Sequence, residues 1–454
     1  MSDGGAVDVR AGRLRAEDYA RNFDDLVPPL DRQQAAVESA RCYFCYDAPC
    51  VEACPTGIDI PGFIRGIQTG NVKGAALKIL DANIMGGACA RVCPTEILCE
   101  GACVRTAQEH KPVKIGLLQR HATDWAFERG FQPYERAPAT GKRVAVVGAG
   151  PAGLACAHGL ARQGHEVVVL ERRAKAGGLN EYGIAAYKVA HDFAQAEVDF
   201  ILGVGGIEIR HGVELGRDVH LQDLRREYDA VFLGVGMQGV NRLGAGEEED
   251  LEGVLDAVDY IAALRQAGDK AALPVGRDIV VIGGGNTAVD IAVQTRRLGA
   301  ESVTIAYRRG PGHMGATHHE QEIAQVNGVR IRHWCRPVRL VGEGGHVTAV
   351  ELERLAQDEQ GRAVATGELF ALKADMVFKA IGQRLVPGAL NGSAELLEMQ
   401  GGKVLVNEDR KTSLDNVWAG GDATGLGADL TVVAVEDGKV AARAMHRALV
   451  GQQA

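Results

Sequence analysis

The sequence has no apolar stretch long enough to cross a bilayer, and its first residues lack the apolar segment of a secretory signal. It also has no excess of basic residues. A net charge of −9 gives no reason to expect binding to nucleic acid or to anionic membranes. We therefore expect a cytoplasmic protein, in a compartment that keeps thiols reduced. The 454 residues predict two to three globular domains.

Cysteines are concentrated in one part of the chain. Eight of the ten lie between residues 42 and 103, in a C-x2-C-x4-C-x3-C-P run and a C-x3-C-x5-C-x3-C run. Inert core cysteines do not recur at such spacings, so disulfides or metal binding are the alternatives. Zinc sites usually show two pairs and a longer spacer, whereas prolines after Cys54 and Cys93 are typical of ferredoxin-type iron–sulfur sites. Because one site does not need eight thiolates, we expect two clusters.

The segments around these cysteines predict helices. Apolar residues recur at helical spacing at residues 31–41, 60–67, 72–80 and 115–127. We therefore predict a helical domain over residues 1–138. Because its core is modest, we expect metal ligation to supply part of its folding free energy.

A dinucleotide-binding pattern begins at residue 142. An apolar strand is followed by G-x-G-x-x-G at Gly148, Gly150 and Gly153, then by a helical segment and a second apolar strand that ends at Glu171. The glycines allow a pyrophosphate to approach the backbone, the helix amino terminus attracts its charge, and the acid binds the ribose. A strand–helix turn without a ligand is the weaker alternative, because all five features occur in order.

A second copy of this pattern begins at residue 278. Its glycines are Gly283 and Gly285, Ala288 replaces the third, and the next strand ends in Arg308 and Arg309 instead of an acid. Two such folds are typical of a flavin plus a pyridine nucleotide, although a degenerate second copy is the alternative. The residues that we expect at NAD(P) are Gly283, Gly285, Asn286, Thr287, Ala288, Arg308, Arg309, Ala380 and Gly382.

A carboxylate follows a buried strand near the end of the chain. Asp422 is suited to hydrogen-bond the ribityl chain of FAD, or else it only caps a turn, and the helix that begins at Thr431 could stabilise a reduced, anionic flavin. The residues that we expect at FAD are Gly148, Gly150, Gly153, Glu171, Gly178, Leu179, Leu215, Gly236, Gly421, Asp422 and Thr431.

These motifs predict an α+α/β architecture. The helical iron–sulfur domain at residues 1–138 precedes two Rossmann-like domains, the second inserted in the first. We expect the FAD domain at residues 139–272 and 380–454, and the NAD(P)H domain at residues 273–379.

The chain resembles the FAD- and iron–sulfur-containing small subunit of bacterial NAD-dependent dihydropyrimidine dehydrogenase. It is also similar to the amino-terminal half of the animal enzyme and, more distantly, to the glutamate synthase small subunit. The residues that carry the resemblance are DAPC at 47–50, CARVCPTEILC at 89–99 and LLQR at 117–120. The five residues between Cys93 and Cys99 favour the dihydropyrimidine group, because glutamate synthase small subunits shorten this gap.

The resemblance implies an interleaved set of cluster ligands. Sequence order alone would divide the eight cysteines four and four. The family pattern instead implies one [4Fe-4S] cluster on Cys42, Cys45, Cys50 and Cys103, and a second on Cys54, Cys93, Cys99 and the side-chain oxygen of Gln119. Cys89 would then not be a ligand.

Two features depart from the family pattern. A flavin-side motif with a basic residue usually carries prolines, but alanines surround Lys188 here. Arg308 and Arg309 stand where ribose-binding acids usually lie, which favours the 2′-phosphate of NADPH. Because the group that the chain most resembles is NAD-dependent and similar at this position, we expect NADH.

The resemblance implies an electron-input subunit that oxidises NADH through FAD and passes electrons through the clusters. It also implies a partner subunit with FMN and further clusters, which reduces uracil or thymine, and a heterotetramer of the two subunits. A glutamate synthase small subunit, an NAD(P)H:ferredoxin-type subunit and a non-catalytic redox-sensing or assembly module are the alternatives. A thioredoxin-reductase-type enzyme is disfavoured, because neither Cys156 nor Cys335 has a C-x-x-C mate.

Substitution of single cysteines tests the ligand set. Cys89→Ser should leave the iron content of anaerobically purified protein near that of wild type, whereas Cys99→Ser should lower it, because only Cys99 is an implied ligand. Equal loss of iron in both variants would favour the partition by sequence order.

Overall fold

A computed structural model describes residues 8–244, 250–386, 390 and 396–451. The helices are α1 (Ala16–Asn22), α2 (Arg32–Ser39), α3 (Pro49–Glu52), α4 (Ile60–Gln68), α5 (Val72–Ala82), α6 (Gly86–Val92), α7 (Val104–Glu109), α8 (Ile115–Glu128), α9 (Pro151–Arg162), α10 (Leu179–Tyr182), α11 (Phe193–Leu202), α12 (Leu221–Glu227), α13 (Ala257–Gln266), α14 (Asn286–Arg297), α15 (His318–Val326) and α16 (Thr431–Val450). Within the described ranges, none of these helices has the length and apolar character needed to cross a membrane.

The strands belong mainly to two parallel sheets and one antiparallel sheet. They are β1 (Arg143–Val147), β2 (Glu166–Glu171), β3 (Ile207–His211), β4 (Ala230–Leu233), β5 (Gly239–Val240), β6 (Val254–Asp256), β7 (Asp278–Gly283), β8 (Ser302–Ala306), β9 (Arg330–Arg332), β10 (Cys335–Glu343), β11 (His346–Gln357), β12 (Ala363–Lys373), β13 (Met376–Ala380), β14 (Gln383–Arg384), β15 (Met399–Gln400), β16 (Lys403–Val404) and β17 (Val417–Ala419).

The chain divides into two compact units. The first unit comprises Met1–Leu26, Tyr182–Ala190 and Val240–Gln383, and the second comprises Val27–Glu181, His191–Gly239 and Arg384–Ala454. The described residues of 8–26 and 240–272, which the sequence assigned to the helical and FAD domains, therefore lie in the first unit. The physical reason is packing, because Tyr19, Phe23, Tyr260 and Ile261 belong to the same hydrophobic core as β7 and α14.

The helical part of the second unit is built from short amphipathic helices. Asp31 and Gln34 form a capping box at the start of α2, in which the Asp31 carboxylate accepts a hydrogen bond from the Gln34 amide at 2.7 Å. On α4, Ile60, Phe63 and Ile64 are buried at helical spacing, and the helix packs against α5 and α8. The predicted helices at 31–41, 60–67, 72–80 and 115–127 are thus confirmed.

The second unit also contains a five-stranded parallel sheet in the order β17-β4-β1-β2-β3. Buried valines fill β1 and β2, as is typical of parallel strands covered on both faces. Helices α9 and α16 pack closely against each other, because a Cβ at Gly438 would overlap the carbonyl oxygen of Ala152.

The first unit contains a similar parallel sheet in the order β6-β13-β7-β8-β9. Strand β7 is followed directly by α14, and the antiparallel sheet β10-β11-β12 adds a second layer whose buried side chains share a core with β7 and β13. Each unit therefore has one open parallel sheet, whose strand carboxyl ends are the expected place for a nucleotide.

A buried ion cluster fixes residues 182–190 within the first unit. The Lys188 ammonium lies 2.7 Å from Asp290 on α14 and 2.7 Å from both carboxylate oxygens of Glu320 on α15. Burial lowers the pKa of Lys188, but the two carboxylates outweigh it and raise this pKa above its ordinary value. The backbone amide of Ala185 also donates to Asp290, at 3.2 Å. The role of Lys188 in a flavin-side motif stays a prediction.

Removal of the Lys188 charge should destabilise the first unit. Lys188→Ala leaves two buried carboxylates without a cation, which costs about 3–5 kcal/mol. Lys373→Ala is the control, because the Lys373–Asp278 pair of the same unit has an ammonium side chain that is 75% exposed, and exposed ion pairs contribute little to stability. Hydrogen exchange of α14 measures the difference. Equal exchange in both variants would contradict a structural role for the buried cluster.

Candidate functional site

Four thiols of the second unit surround one small pocket. Cys42 and Cys45 lie in the loop after α2, Cys50 lies in α3, and Cys103 directly precedes α7. The structure thus brings together the four residues implied for the first cluster. The remaining wall is largely apolar and includes Ile60, Ile64, Val113 and Ile115.

A second group of thiols gathers at the carboxyl end of α6. The Cys93 thiol is hydrogen-bonded to Cys89, and its pKa is raised by this bond, by burial and by the nearby thiols of Cys99 and Cys54. Cys54, Cys93 and Cys99 are the implied cysteine ligands of the second cluster. The structure also places Cys89 beside Cys93, so proximity alone does not separate a ligand from a neighbour here.

Gln119 lies on the helix that packs against α6. Its side-chain nitrogen donates a 2.7 Å hydrogen bond to the carbonyl oxygen of Gly86, the first residue of α6, and the side chain is buried. This bond orients the amide, so the side-chain oxygen points away from the Gly86 carbonyl. The arrangement is compatible with Gln119 as an oxygen ligand, and its role stays a prediction.

The electrostatics of both groups fit a bound iron–sulfur cluster. Burial raises the pKa of Cys50 to about 12, and Cys103 and Cys42 add to the shift. Burial likewise raises the pKa of Cys42 and of Cys99. Thiolates so close together repel one another unless a cation lies among them, and iron supplies that charge. Among the described residues, no group of three or more His, Cys, Asp or Glu side chains is positioned to hold a single metal ion.

The predicted flavin residues gather at the carboxyl edge of the sheet in the second unit. Glu171 ends β2, and its carboxylate accepts hydrogen bonds from the amides of Ala149 and Arg173, both at 2.8 Å. A Cβ at Gly153 would overlap the carbonyl of Gly148, whereas a Cβ at Gly150, at the amino end of α9, would make only an ordinary contact with Gly178, 3.7 Å away. The glycine turn thus lies at a helix amino terminus, which suits a pyrophosphate.

Other predicted flavin residues lie around this edge. Gly178 packs beside Gly150, Gly236 follows β4 with open space in front of it, and Leu179 is partly exposed at the start of α10. Leu215 differs, because its side chain is 5% exposed within the core formed by β1 and β2. Only the backbone of Leu215 is therefore a candidate for contact with the nucleotide.

Asn180 is a residue of this edge that the sequence did not single out. It is 1% exposed, its side-chain oxygen accepts a 2.9 Å hydrogen bond from the Thr431 hydroxyl, and its side-chain nitrogen has no partner within the described part of the chain. An unpaired buried donor is costly, so this nitrogen is suited to bind an acceptor atom of a ligand. The only sequence signal is a polar residue directly after Gly178 and Leu179.

Asp422 lies in the short 3-10 turn Gly421–Ala423 that follows β17. Burial raises the pKa of its carboxyl to about 6, Asp429 adds to the shift, and Lys403 opposes it. Gly421 donates its amide to Asp437 of α16 at 2.8 Å, which holds the turn beside the helix that begins at Thr431. A half-buried carboxylate in this position, whose charged form is disfavoured, fits a ligand that donates hydrogen bonds, such as a ribityl chain.

The predicted nucleotide residues gather at the matching edge of the first unit. Gly283 ends β7, and a Cβ there would overlap the carbonyl of Ala380 at the end of β13. Gly285 directly precedes α14 and has open space in front of it. The first helical residues are Asn286, Thr287 and the buried Ala288, and Gly382 follows β13. These residues fit a second pyrophosphate.

Arg308 and Arg309 follow β8 and are exposed. Within the residues that the structure describes, neither guanidinium has a hydrogen bond or an ion pair with a carboxylate. Both are therefore free to bind a phosphate group or a ribose from the same edge of the sheet.

Two side chains connect the cysteine-bearing part of the second unit to helices α11 and α16. Glu197 of α11 is fully buried and accepts a 2.9 Å hydrogen bond from the amide of Ala88 in α6, and burial raises the pKa of its carboxyl to about 7. Lys439 of α16 donates to the carbonyls of Thr56 and Ala82, at 3.0 and 2.9 Å. The sequence did not indicate either residue, because both occur in helices that look amphipathic and solvent-exposed.

Two family models match the sequence. One, described as dihydropyrimidine dehydrogenase domain II, 4Fe-4S cluster, matches residues 19–131. The other, described as pyridine nucleotide-disulphide oxidoreductase, matches residues 142–438. These matches confirm the predicted order of a helical iron–sulfur domain followed by nucleotide-binding folds.

Three relatives from Escherichia coli (strain K12) illustrate the range of similar proteins. The putative oxidoreductase UacF is 37% identical over 96% of this chain and 71% of its own length. The glutamate synthase [NADPH] small chain is 35% identical, over 92% of both chains. The NAD-dependent dihydropyrimidine dehydrogenase subunit PreT is also 35% identical, over 94% of this chain and 98% of its own. Identity therefore does not separate the last two.

Solved structures show a similar fold. FprA from Mycobacterium tuberculosis, solved in complex with NADPH, matches with a TM-score of 0.56 and 21% identity, over 68% of this chain and 84% of its own. Thioredoxin reductase from T. acidophilum matches with a TM-score of 0.54 and 23% identity, over 68% of this chain and 100% of its own. At these identities the likeness shows the fold alone.

The raised pKa of the half-buried Asp422 predicts that this residue lowers stability at high pH while it favours flavin binding. Because its folded pKa is about 6 against an ordinary 3.8, the charged form destabilises the fold above pH 6, and this cost disappears as the pH falls toward 3.8. Flavin-free Asp422→Asn should therefore be more stable than wild type at pH 8, by about 2–3 kcal/mol, and equally stable near pH 4. Asp422→Asn should also retain less FAD on dilution.

Exposed Asp415 provides the control for this variant. Asp415→Asn should change neither the pH dependence of thermal unfolding nor flavin retention. Thermal unfolding of both variants at pH 4 and pH 8, with flavin fluorescence after dilution, makes the comparison. A constant difference between Asp422→Asn and wild type at all pH values would contradict the assignment.

Proposed function

We propose an electron-input role for this chain, which belongs to the pyridine nucleotide-disulphide oxidoreductase family and carries an amino-terminal 4Fe-4S domain of the dihydropyrimidine dehydrogenase type. It is an oxidoreductase that uses 4Fe-4S, FAD and NAD(P)H. In the proposed reaction, NADH is oxidised in the first unit's nucleotide site and the electrons leave through the cysteine-bearing helices. The acceptor is an FMN-containing partner that reduces a pyrimidine.

The observation that carries this proposal is the path of α16. The helix begins at Thr431, beside the predicted flavin residues. Its Lys439 donates a hydrogen bond to the carbonyl of Thr56, which lies two residues after Cys54. Thr431 and Lys439 are eight residues apart, which is about 12 Å along a helix axis. One helix thus extends from the predicted flavin edge to a loop beside Cys54, a predicted cluster ligand.

The chain's own residues bind and orient the cofactors. In this proposal Gly150 and the amino end of α9 would bind the FAD pyrophosphate and Glu171 its adenine-side ribose. Asp422 and Asn180 would bind polar groups further along the cofactor. The support is the glycine turn, the fixed Glu171 carboxylate, the raised pKa of Asp422 and the unpaired Asn180 nitrogen. When bound, FAD takes two electrons from the nicotinamide together and releases them singly to the 4Fe-4S clusters. No side chain is assigned to proton transfer on a pyrimidine.

Cluster ligands are proposed as the resemblance implies them. Cys42, Cys45, Cys50 and Cys103 would hold the first cluster, for which their shared pocket is the support. The grouping of Cys54, Cys93 and Cys99 supports the second, with the oriented amide of Gln119 as its fourth ligand. Thiolate-bound clusters persist in a reducing compartment, so we place the protein in the cytoplasm.

Glutamate synthase provides the second candidate function, because its small chain is as similar to this chain as the dihydropyrimidine dehydrogenase subunit is. In that case a large amidotransferase subunit would accept the electrons. The five residues between Cys93 and Cys99 favour the pyrimidine partner.

Purification from the native host distinguishes the two partners. Under anaerobic conditions we expect an FMN-containing chain to copurify and an amidotransferase not to copurify. We also expect NADH-dependent reduction of uracil only when both chains are present. The decisive control is the isolated chain, which should reduce an artificial dye with NADH but not uracil. Copurification of an amidotransferase, with glutamate formation, would overturn the pyrimidine proposal.

The nucleotide preference is a separate prediction. With NADH as the donor, Arg308→Gln and Arg309→Gln should change kcat/KM for NADH less than twofold, because neither arginine would hold a 2′-phosphate. Steady-state dye reduction with NADH and NADPH measures this. A higher wild-type kcat/KM for NADPH, lowered tenfold or more by either substitution, would show that the arginines select NADPH instead.

A further inference from the structure

A cavity of the second unit lies away from the predicted cofactor residues, between α5, α9 and α16. Its volume is about 290 Å³, close to the lower end of small-molecule sites, which is about 300 Å³. None of the residues predicted to bind FAD or an iron–sulfur cluster lines it. The polar side chains in its wall are Asp81, His158, Arg162, Gln163, Lys439 and Arg443.

The charges of this wall favour an anion. Arg162 and Arg443 are cationic, whereas Asp81 is the acidic residue among those that line the cavity. The third cation, Lys439, is already paired with Glu436 and donates to the carbonyls of Thr56 and Ala82. Arg162 lies 3.8 Å from Asp81, which is a weak ion pair between exposed side chains. Arg443 is exposed and has no carboxylate partner among the residues that the structure describes. At least one guanidinium is therefore available to a ligand.

The inner wall carries a buried nitrogen that lacks a partner. His158 is 4% exposed, and its Nε2 makes no hydrogen bond to the described residues. Its ring packs edge-on against Tyr134, with centroids 5.1 Å apart. Burial and the nearby Arg162 lower the pKa of His158 to about 3, so the ring is neutral at physiological pH and can donate one N–H. A ligand acceptor atom would satisfy this nitrogen.

We propose that this cavity binds a small metabolite bearing an oxyanion, a phosphate or a carboxylate, through Arg162 and Arg443 at the rim and His158 inside. Planar guanidinium groups bind both kinds of oxyanion in pairs of hydrogen bonds. Helix α5 belongs to the cysteine-bearing part of the second unit, whereas α9 and α16 pack against its five-stranded parallel sheet. A ligand in the cavity would therefore contact both parts. This site does not depend on the proposed electron acceptor.

Calorimetric titration of the FAD- and cluster-loaded protein tests the site. The probes are inorganic phosphate and malonate, each added at constant ionic strength and with excess NAD⁺, the oxidised nucleotide, to occupy the predicted nucleotide site without reducing the flavin. We expect saturable binding of at least one probe, weakened about tenfold in Arg162→Gln and in Arg443→Gln, because each variant loses charge-assisted hydrogen bonds. The tighter probe identifies the class of oxyanion.

Arg447→Gln is the matched control, because Arg447 lies one turn further along α16, pairs with Asp409 and does not line the cavity. It should bind the probe as wild type does. Hydrogen exchange at residues 435–443 should also slow when the tighter probe is present. Absence of binding for both probes, or equal affinity in wild type, Arg162→Gln and Arg443→Gln, would overturn the proposal.

Discussion

The close packing of α9 against α16 is the contact on which the second unit depends. Small residues make it possible, because a Cβ at Gly438 would overlap the Ala152 carbonyl and a Cβ at Gly159 would lie 2.8 Å from Ala442. With α16 held this close, its amino end lies at the flavin edge and its middle reaches the cysteine-bearing part through Lys439. One helix thereby serves the cofactor edge and the helical part at once.

Several polar groups at the flavin edge lower the stability of the chain. The side-chain nitrogen of Asn180 has no partner in the described residues, and burial disfavours the charged form of Asp422. Residues that lower the stability of the fold, with no compensating contact in the structure, are typical of binding sites. By contrast, Glu171 has two backbone donors and is fixed in place before any ligand arrives. The edge thus combines a preorganised acid with groups that a ligand would satisfy.

The sequence predicted the local features of this fold well. Strand, glycines, helix and acid occur in one continuous segment, so Gly148, Gly153 and Glu171 could be located from spacing alone. The same holds for the second motif at Gly283, since the chemistry of a pyrophosphate turn is local. The helices around the cysteines could be predicted for the same reason, from the period of their apolar residues.

Long-range burial could not be predicted from spacing. Glu197 and Ala88 are 109 residues apart, and nothing in the polar pattern around Glu197 shows that it is buried. Lys188 likewise meets Asp290 and Glu320 only in the folded chain. The packing of Tyr19 and Phe23 in the first unit also had no local signal, because a few apolar residues in a polar segment fit either unit.

The central claim is that one chain holds a flavin and two iron–sulfur clusters in a single compact unit. Its most direct test is the flavin, iron and zinc content of the anaerobically purified chain, measured against protein concentration. The account predicts about one FAD and about eight iron atoms per chain, with no stoichiometric zinc. Zinc in place of iron, or iron that stays near four atoms per chain after anaerobic reconstitution, would contradict it.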